Sequence, residues 1–337
     1  MPTIEVTPVD GICTLGNDRV YDQIVALINS IEVFAPGMPV CIYPYDDQVD
    51  RLRELVRSRS NLTLYDDTAS IQRWDAWVEQ IWATHPTARQ QWDAIGSEGV
   101  HRMGTHRRFC AFDGPFDRFI YMDADTLLLS DPAPVFNTLT EYDWVTYDFQ
   151  HKDLSHVYDM NSGWLEKLFS AEQLQRQAFC SGFYASHRGL FDPDQGQEVL
   201  TWLISGEAAV LYPMAPDQTI LNYLVMRCGV NSCNLALTLP ADQRTGNSVT
   251  SSHFTVENHR VYDKGVPLLY LHYIGLSSKL FARLCNSENV KLPYRDVFLH
   301  YRYLQAPETR PALLGKLVTA KPQGWRRYFK PLAQLLP

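Results

Sequence analysis

The sequence lacks the features that mark several classes of protein. No Cys-x-x-Cys pair occurs among its seven cysteines, which stand at positions 13, 41, 110, 180, 228, 233 and 285. Scattered cysteines in apolar surroundings are typical of reduced core thiols in a cytosolic protein, and they argue against a zinc site. No apolar run reaches the roughly 18 to 20 residues that cross a bilayer. The first sixteen residues carry Glu5 and Asp10 but no basic segment, so we expect no signal peptide and a cytoplasmic protein.

A surplus of positive charge is also missing. The chain has 30 Lys and Arg against 38 Asp and Glu, a net charge of −8. Nucleic-acid binding depends on a basic footprint, so nucleic acid is not an expected partner. A nucleotide remains possible because it needs only one local cationic pocket. The 337 residues, of which 45% are hydrophobic, suffice for one large α/β domain or two small ones.

Short apolar segments alternate with amphipathic ones along the first part of the chain. Residues 11–15, 39–43 and 62–65 have the composition of strands, whereas 21–33 and 48–57 have helical spacing. This alternation predicts βαβ units and an α/β fold with a Rossmann-like, mostly parallel central sheet and flanking helices. The polar and aromatic stretch after residue 150 is either an acceptor pocket or a solvated loop.

The strongest local signal is a buried strand at 119–122 that runs directly into Asp123-Ala124-Asp125. In extended backbone, side chains two residues apart project to the same side, so the two carboxylates repel each other unless a cation lies between them. Oxygen ligands of this kind suit Mg²⁺ or Mn²⁺. Open α/β sheets bind ligands at the carboxyl ends of their strands, where this pair falls. The alternative is a strand-end turn in which the aspartates cap backbone amides.

The segment 119–129 resembles the Asp-x-Asp segment of retaining glycosyltransferases with the GT-A fold, in the family of glycogenin and the bacterial lipopolysaccharide galactosyltransferases (glycosyltransferase family 8). Weaker motifs in the family's order extend the resemblance over about residues 11 to 280. It implies a GT-A fold with the Asp-x-Asp at a strand end. It also implies metal-dependent transfer of a hexosyl group, with retention, from a nucleotide-sugar donor, expected to be a UDP-sugar, to an acceptor hydroxyl.

The resemblance assigns donor contacts to five places in the chain. Asn17 and Asp18, with Tyr21, correspond to the loop that contacts the nucleoside. Arg107 corresponds to a basic residue that touches the phosphates or the donor sugar. The donor-binding positions so implied are Asn17, Asp18, Tyr21, Arg107, Asp123, Ala124, Asp125, Ser181, Gly182, Gly275 and Lys279.

The resemblance also implies catalytic and metal-binding roles. Asp217 and Gln218 match the Asp-Gln segment beneath the anomeric carbon and are the expected catalytic pair. His272 matches the third metal ligand, which joins Asp123 and Asp125. Local sequence leaves alternatives open, because Asp217 could be a helix N-cap and His272 a core histidine.

Two other functions stay open at this point. A phosphatase of the haloacid-dehalogenase-like class also places Asp-x-Asp after an apolar strand, but its motif has Thr or Val where this chain has Leu127. A catalytically silent nucleotide-sugar binding module is favoured by Cys180, which stands where the family has Asn. The spacing from His272 to Lys279, one residue longer than in the family, favours it too.

We predict a GT-A catalytic domain over residues 1–285, with a nucleotide-sugar half at about 1–130 and an acceptor half at about 131–285. A helical, basic and aromatic extension is predicted over 286–337. From Arg310 onward the chain has six basic residues and no acidic one: Arg310, Lys316, Lys321, Arg326, Arg327 and Lys330. Such a segment suits peripheral contact with an anionic membrane, and packing on the catalytic domain is the alternative. The expected acceptor is a glycan, a lipid-linked saccharide or a small molecule.

Overall fold

The structure, a computed structural model, describes residues 8–318. Its strands are β1 (Asp10–Gly16), β2 (Val40–Pro44), β3 (Leu62–Leu64), β4 (Arg118–Met122), β5 (Thr126–Leu128), β6 (Trp144–Thr146), β7 (Phe183–His187), β8 (Ser232–Asn234), β9 (Thr255–Glu257), β10 (Arg260–Asp263), β11 (Val266–Pro267), β12 (Tyr270–His272), β13 (Glu288–Val290) and β14 (Leu314–Val318).

The α-helices lie mainly between these strands. They are α1 (Tyr21–Phe34), α2 (Asp50–Arg57), α3 (Thr68–Ala83), α4 (Ala88–Ala94), α5 (Ala133–Thr138), α6 (Leu165–Leu168), α7 (Ala171–Gln177), α8 (Gln197–Ile204), α9 (Pro216–Arg227), α10 (Leu235–Thr238), α11 (Ser278–Cys285) and α12 (Arg295–Arg302). 3₁₀ helices cover Asp18–Val20, Met103–Asp113, Gln150–Lys152, Leu154–His156, Pro193–Gln195, Glu207–Val210 and Pro307–Thr309.

Seven strands form the central sheet, in the order β3-β2-β1-β4-β7-β6-β8. Four neighbouring pairs are parallel (β2 with β3, β1 with β2, β1 with β4, β6 with β8), and β7 runs antiparallel to both of its neighbours. Residues 11–16 of β1 are all buried, as expected of a parallel strand covered by helices on both faces. The predicted α/β fold class with a mostly parallel sheet is confirmed.

Helices pack on both faces of this sheet and are built from different kinds of residue. α1 buries Ile24, Leu27, Ile28 and Ile31, spaced as one face of an amphipathic helix. The other face is covered by the 3₁₀ helix Met103–Asp113, on which the tryptophan-rich α3 packs. The Trp74 ring centroid of α3 lies 5.7 Å from that of Phe109 and 6.0 Å from that of Phe112. Asp67 begins α3 as its N-cap, because its side chain accepts a hydrogen bond from the backbone N–H of Ser70.

A column of aromatic rings crosses the sheet beneath the end of β4. Trp144 stacks on Tyr184 with ring centroids 4.5 Å apart, and Tyr184 stacks on Tyr121 at 5.0 Å. All three side chains are essentially fully buried, so they hold the carboxyl end of β4 on a rigid support.

After the central sheet, the chain forms β12, which pairs antiparallel with β5 in a separate two-stranded sheet. This pairing places His272 opposite Thr126. Further on, α12 packs against α1: the Asn29 side chain donates to the carbonyl of Tyr301 (2.7 Å), and Arg302 pairs with Asp22 (2.7 Å). Residues 319–337 of the predicted extension lie outside the described residues. Within residues 8–318, no helix combines the length and the hydrophobicity needed to cross a bilayer.

Candidate active site

The structure brings Asp123, Asp125 and His272 together. The two aspartates lie in the tight turn between β4 and β5, where the backbone N–H of Asp123 donates to the carbonyl of Gly182 (2.9 Å). Because β12 pairs with β5, His272 Nε2 lies 3.3 Å from Asp125 Oδ1. One ligand atom from each of the three residues lies within 4.8 Å of the other two. Two carboxylate oxygens and one imidazole nitrogen fit Mn²⁺ or Mg²⁺.

Gly182 leaves room for this cluster. A Cβ atom at position 182 would stand 2.4 Å from His272 Cε1 and 3.2 Å from Asp123 Oδ2. The first distance is far below van der Waals contact, so any larger residue would displace the imidazole. The position therefore requires glycine because of its close approach to the histidine.

Asp125 and His272 stabilise each other's charged forms. Burial alone would lower the pKa of His272, but the Asp125 carboxylate raises that pKa well above its ordinary value. The same contact lowers the pKa of Asp125, against the effect of burial. For Asp123, burial dominates and raises the pKa. A divalent cation bound by these three residues would displace the imidazole proton, so its binding is expected to release a proton.

Arg108 links the acidic cluster to α9. Its guanidinium donates to Asp123 Oδ1 at 2.9 Å and pairs with Asp217 Oδ2 at 3.1 Å. It also donates to the carbonyls of Ser181 (2.8 Å) and Thr105 (3.1 Å). The side chain is only 5% exposed and lies 4.6 Å from the centroid of the Tyr121 ring. One buried cation thus holds two carboxylates that would otherwise repel each other.

Asp217 and Gln218 lie in the first turn of α9, behind Pro216 at the helix start. Burial would raise the pKa of Asp217, but Arg108, Arg102 and His106 together lower it to about 2. The carboxylate is therefore ionised while 6% exposed. The Gln218 amide accepts from the Ser181 N–H (2.9 Å) and donates to the carbonyl of His156 (2.8 Å). Gln218 thus fixes the loops on either side of Asp217.

Arg107 does not line the cavity that contains the metal cluster. It pairs with Asp75 at 3.3 Å and donates to the carbonyl of Pro44 at 3.3 Å. Arg107 and Arg108 leave the same 3₁₀ helix in different directions, and Arg108 is the one that reaches Asp123. The geometry therefore favours Arg108 over Arg107 as the cation of this site.

The predicted nucleoside loop lies at the carboxyl end of β1 and already has internal partners. Asn17 donates to Asp46 Oδ2 at 2.8 Å. Asp18 accepts from the backbone N–H groups of Arg51 and Leu52, at 3.1 and 3.2 Å, and so caps α2. The Tyr21 ring is covered by the Arg51 guanidinium, 3.8 Å from its centroid. A nucleobase could stack on that face of Tyr21 only after Arg51 moved.

Two connected cavities lie beside the metal cluster. The acidic cavity, about 630 Å³, is lined by Asp123, Asp125, Asp217, Gln218, Ser181 and His272 among others. The lysine cavity, about 800 Å³, is lined by Lys152, Lys279 and Lys291 with Asp148 and Tyr270 among others. Cys180, His272 and Gly275 line both, so the cavities meet at the histidine.

Sequence reasoning missed several residues of the site. Arg108 and Arg102 line the acidic cavity, and Arg102 has a left-handed backbone (φ 53°) that is rare outside glycine. Asp148 follows β6 and lines the lysine cavity. Burial raises its pKa to about 7, against the lowering effect of the Gln150 backbone N–H. An aspartate directly after a strand was the available signal for Asp148.

Comparisons with known proteins bear on the fold. No protein-family model matches this chain, and no curated protein sequence matches it. The apo structure of the bifunctional glycosyltransferase WbbM is similar over 91% of this chain and 52% of that one, with 13% identity and a TM-score of 0.52. The galactosyltransferase LgtC, in complex with donor and acceptor sugar analogues, is similar over 79% of this chain and 87% of that one, with 16% identity and a TM-score of 0.48. At such identities the likeness is one of fold. The fold shared with WbbM confirms the predicted GT-A architecture.

Proposed function

We propose that this protein is a glycosyltransferase that moves a hexosyl group from a nucleotide-diphosphate sugar to an acceptor hydroxyl. The observation that carries the proposal is the cluster of Asp123, Asp125 and His272 at the end of β4, within a fold shared with a glycosyltransferase. A UDP-linked donor and retention of configuration follow from the resemblance of 119–129 to glycosyltransferase family 8.

In this proposal, Asp123, Asp125 and His272 hold Mn²⁺ or Mg²⁺. When bound, the cation supplies electrostatic stabilisation of the diphosphate leaving group as its negative charge grows. Lys279, at the start of α11, would add a positive charge, and Gly275 would let the backbone approach the phosphates. Lys279 shares no ion pair with a carboxylate among the residues that the structure describes.

Asp217 has the properties required beside the anomeric carbon. It is buried, lines the same cavity as the metal cluster, and stays ionised because Arg108 lies 3.1 Å away. A preorganised carboxylate in a site with little water stabilises positive charge on a reacting sugar. Gln218 acts by holding Ser181 and His156 in place, so we assign it a positioning role.

Turnover of UDP-sugars tests the proposal. We expect the purified protein, with Mn²⁺ and UDP-glucose, UDP-galactose or UDP-N-acetylglucosamine, to release UDP at least by slow hydrolysis. EDTA should abolish the release, and Asp125→Asn, which keeps the size of the side chain, should abolish it as well. Absence of any nucleotide binding by calorimetry with Mn²⁺ present would contradict the proposal.

Two further outcomes separate the alternatives. Saturable UDP-sugar binding without turnover across a broad acceptor library would favour a silent binding module. Phosphate release from aryl phosphates, with a covalent phosphate on Asp123, would favour the phosphatase.

A further inference from the structure

We propose that the lysine cavity binds the acceptor, and that this acceptor carries a negatively charged phosphate or carboxylate group. The inference rests on the proposed function and adds the chemical class of the second substrate. The donor sugar and its diphosphate belong beside Asp123 and Asp125, which line the acidic cavity. The lysine cavity touches the metal cluster only at His272 among its three members. Of its lining, Gly275 and Lys279 are assigned to the donor diphosphate above, so the part around Lys152 and Lys291 is left for a second molecule.

The size of the lysine cavity suits such a molecule. Its volume of about 800 Å³ lies within the range of small-molecule pockets, roughly 300 to 1,000 Å³. It meets the acidic cavity along Cys180, His272 and Gly275, so a hydroxyl bound there can approach the donor sugar. Phe149, Leu276 and Leu280 supply apolar wall for the faces of sugar rings.

Lysine side chains are concentrated at this cavity. The sequence contains eight lysines and none before residue 152. Three of the eight, Lys152, Lys279 and Lys291, line this one cavity. They come from three separate segments: the 3₁₀ helix after β6, the start of α11 and the residue after β13. A single solvated helix face would not bring such distant residues to one opening.

The carboxylates of the same cavity do not neutralise these cations. Asp153 accepts hydrogen bonds from the backbone N–H and the hydroxyl of Ser155, at 3.0 and 2.6 Å. Asp148 is 4% exposed, and its Oδ2 has no hydrogen-bond partner within residues 8–318. Arg283, a fourth cation in the lining, is already paired with Glu288 at 2.8 Å.

The three lysines themselves are free of ion pairs as far as the described chain extends. No carboxylate oxygen within residues 8–318 lies within 4.0 Å of their ammonium groups. Lys152 lies over the Phe149 ring instead, 4.6 Å from its centroid. When Lys279 contacts the donor diphosphate, Lys152 and Lys291 still leave two unpaired ammonium groups in this cavity. In a chain with a net charge of −8, such a cavity is suited to an anion. Lysine ammonium groups commonly bind phosphate as point charges.

Calorimetry with matched ligands tests the inference. Protein saturated with Mn²⁺ and UDP would be titrated with glucose, galactose and N-acetylglucosamine, then with their 1-phosphates and 6-phosphates and with glucuronate and galacturonate. The 1-phosphates stand for the head of a lipid-linked acceptor, and the 6-phosphates and uronates stand for soluble acidic saccharides. We expect the 1-phosphates, the 6-phosphates or the uronates to bind about tenfold more tightly than the corresponding uncharged sugars. This binding should weaken in 0.5 M NaCl.

Variants that each remove one lysine charge, inside or outside the cavity, test whether the preference for charged ligands arises in the cavity. Lys152→Gln and Lys291→Gln should each reduce the affinity for the charged ligand about threefold, as partly exposed ion pairs do. Lys264→Gln, in the turn between β10 and β11, removes the same charge outside the cavity and should leave that affinity unchanged. UDP affinity should be the same in all three variants, since none of these lysines is assigned to the donor.

The results separate the two proposals. If charged and neutral ligands bind equally, or if the preference survives in the Lys152→Gln/Lys291→Gln double variant, the cavity does not select an anionic acceptor. If UDP and Mn²⁺ do not bind at all, the proposed function fails, and the same ligands titrated into the protein alone still report on the cavity.

Discussion

Replacing Arg108 with methionine should destabilise the protein strongly. The guanidinium neutralises Asp123 and Asp217 and satisfies the carbonyls of Ser181 and Thr105, whereas methionine keeps the volume and removes all four interactions. Removing one partner of a buried ion pair costs about 3 to 5 kcal/mol, because the remaining charge is buried without compensation.

The pKa of Asp217 reflects the same interaction. Burial raises this pKa, and Arg108, together with Arg102 and His106, lowers it to about 2. The net shift from 3.8 corresponds to about 2.5 kcal/mol, which is of the same order as the expected loss. With the usual entropy of unfolding for a chain of this length, 3 to 5 kcal/mol lowers the melting temperature by about 4 to 7 °C.

The pH dependence of stability tests whether the loss in Arg108→Met comes from the two buried carboxylates. In the wild type, the lowered pKa of Asp217 contributes stability that is present above about pH 4 and is lost as the pH falls through 2. In Arg108→Met, burial would raise the pKa of Asp217 instead of leaving it lowered, and would raise the pKa of Asp123 further, so the variant takes up protons at higher pH. The stability difference between wild type and variant should therefore shrink when urea unfolding is measured at pH 5 rather than pH 7.

Arg107→Met is the matched control. Arg107 and its partner Asp75 are each about one-fifth exposed and 3.3 Å apart, so their separation should cost about 1 kcal/mol or less. Equal losses in the two variants, or a loss below about 1 kcal/mol in Arg108→Met, would refute the assignment of Arg108 as the cation of the site.

Further predictions concern the metal cluster, the buried aspartate and the terminal segment. Asp125→Ala and His272→Ala should each abolish Mn²⁺-dependent UDP binding in calorimetry without loss of circular dichroism signal, and full Mn²⁺ affinity in His272→Ala would return this residue to a core role. Gly182→Ala should weaken Mn²⁺ binding at least tenfold, because its methyl group would displace the imidazole; unchanged affinity would show that the loop relaxes. The free energy of unfolding of Asp148→Asn, relative to that of the wild type, should rise by about 2 to 3 kcal/mol between pH 5 and pH 8. The reason is that the raised pKa of Asp148 destabilises the folded wild type as pH rises from 4 towards 7. Parallel pH profiles of the two proteins in urea unfolding would contradict this. Full-length protein should float with anionic liposomes at low salt better than a chain ending at Glu308, and equal flotation would exclude the membrane role of the terminal segment.

The sequence by itself determined the features that depend on local pattern. Alternating apolar and amphipathic segments predicted the parallel strands and their helices, because the periods of strand and helix are visible within a few residues. The metal site was predicted in the same way, from a buried strand that runs into Asp123-Ala124-Asp125. Two carboxylates at such a strand end are typical of a cation site. Asp217 was predicted from its motif, and the structure places it at the start of α9, beside the same cavity.

Only the tertiary structure decided which other side chains meet these aspartates. The resemblance pointed to Arg107, which is adjacent to Arg108 in a 3₁₀ helix. Neighbouring side chains on such a helix point about 120° apart, so only one of the two reaches Asp123. His272 reaches Asp125 through the pairing of β12 with β5. Lys152 lines one cavity with Lys279 and Lys291, which follow it by more than a hundred residues. Contacts of this kind depend on the long-range packing of strands, which leaves no periodic signal in the neighbouring sequence.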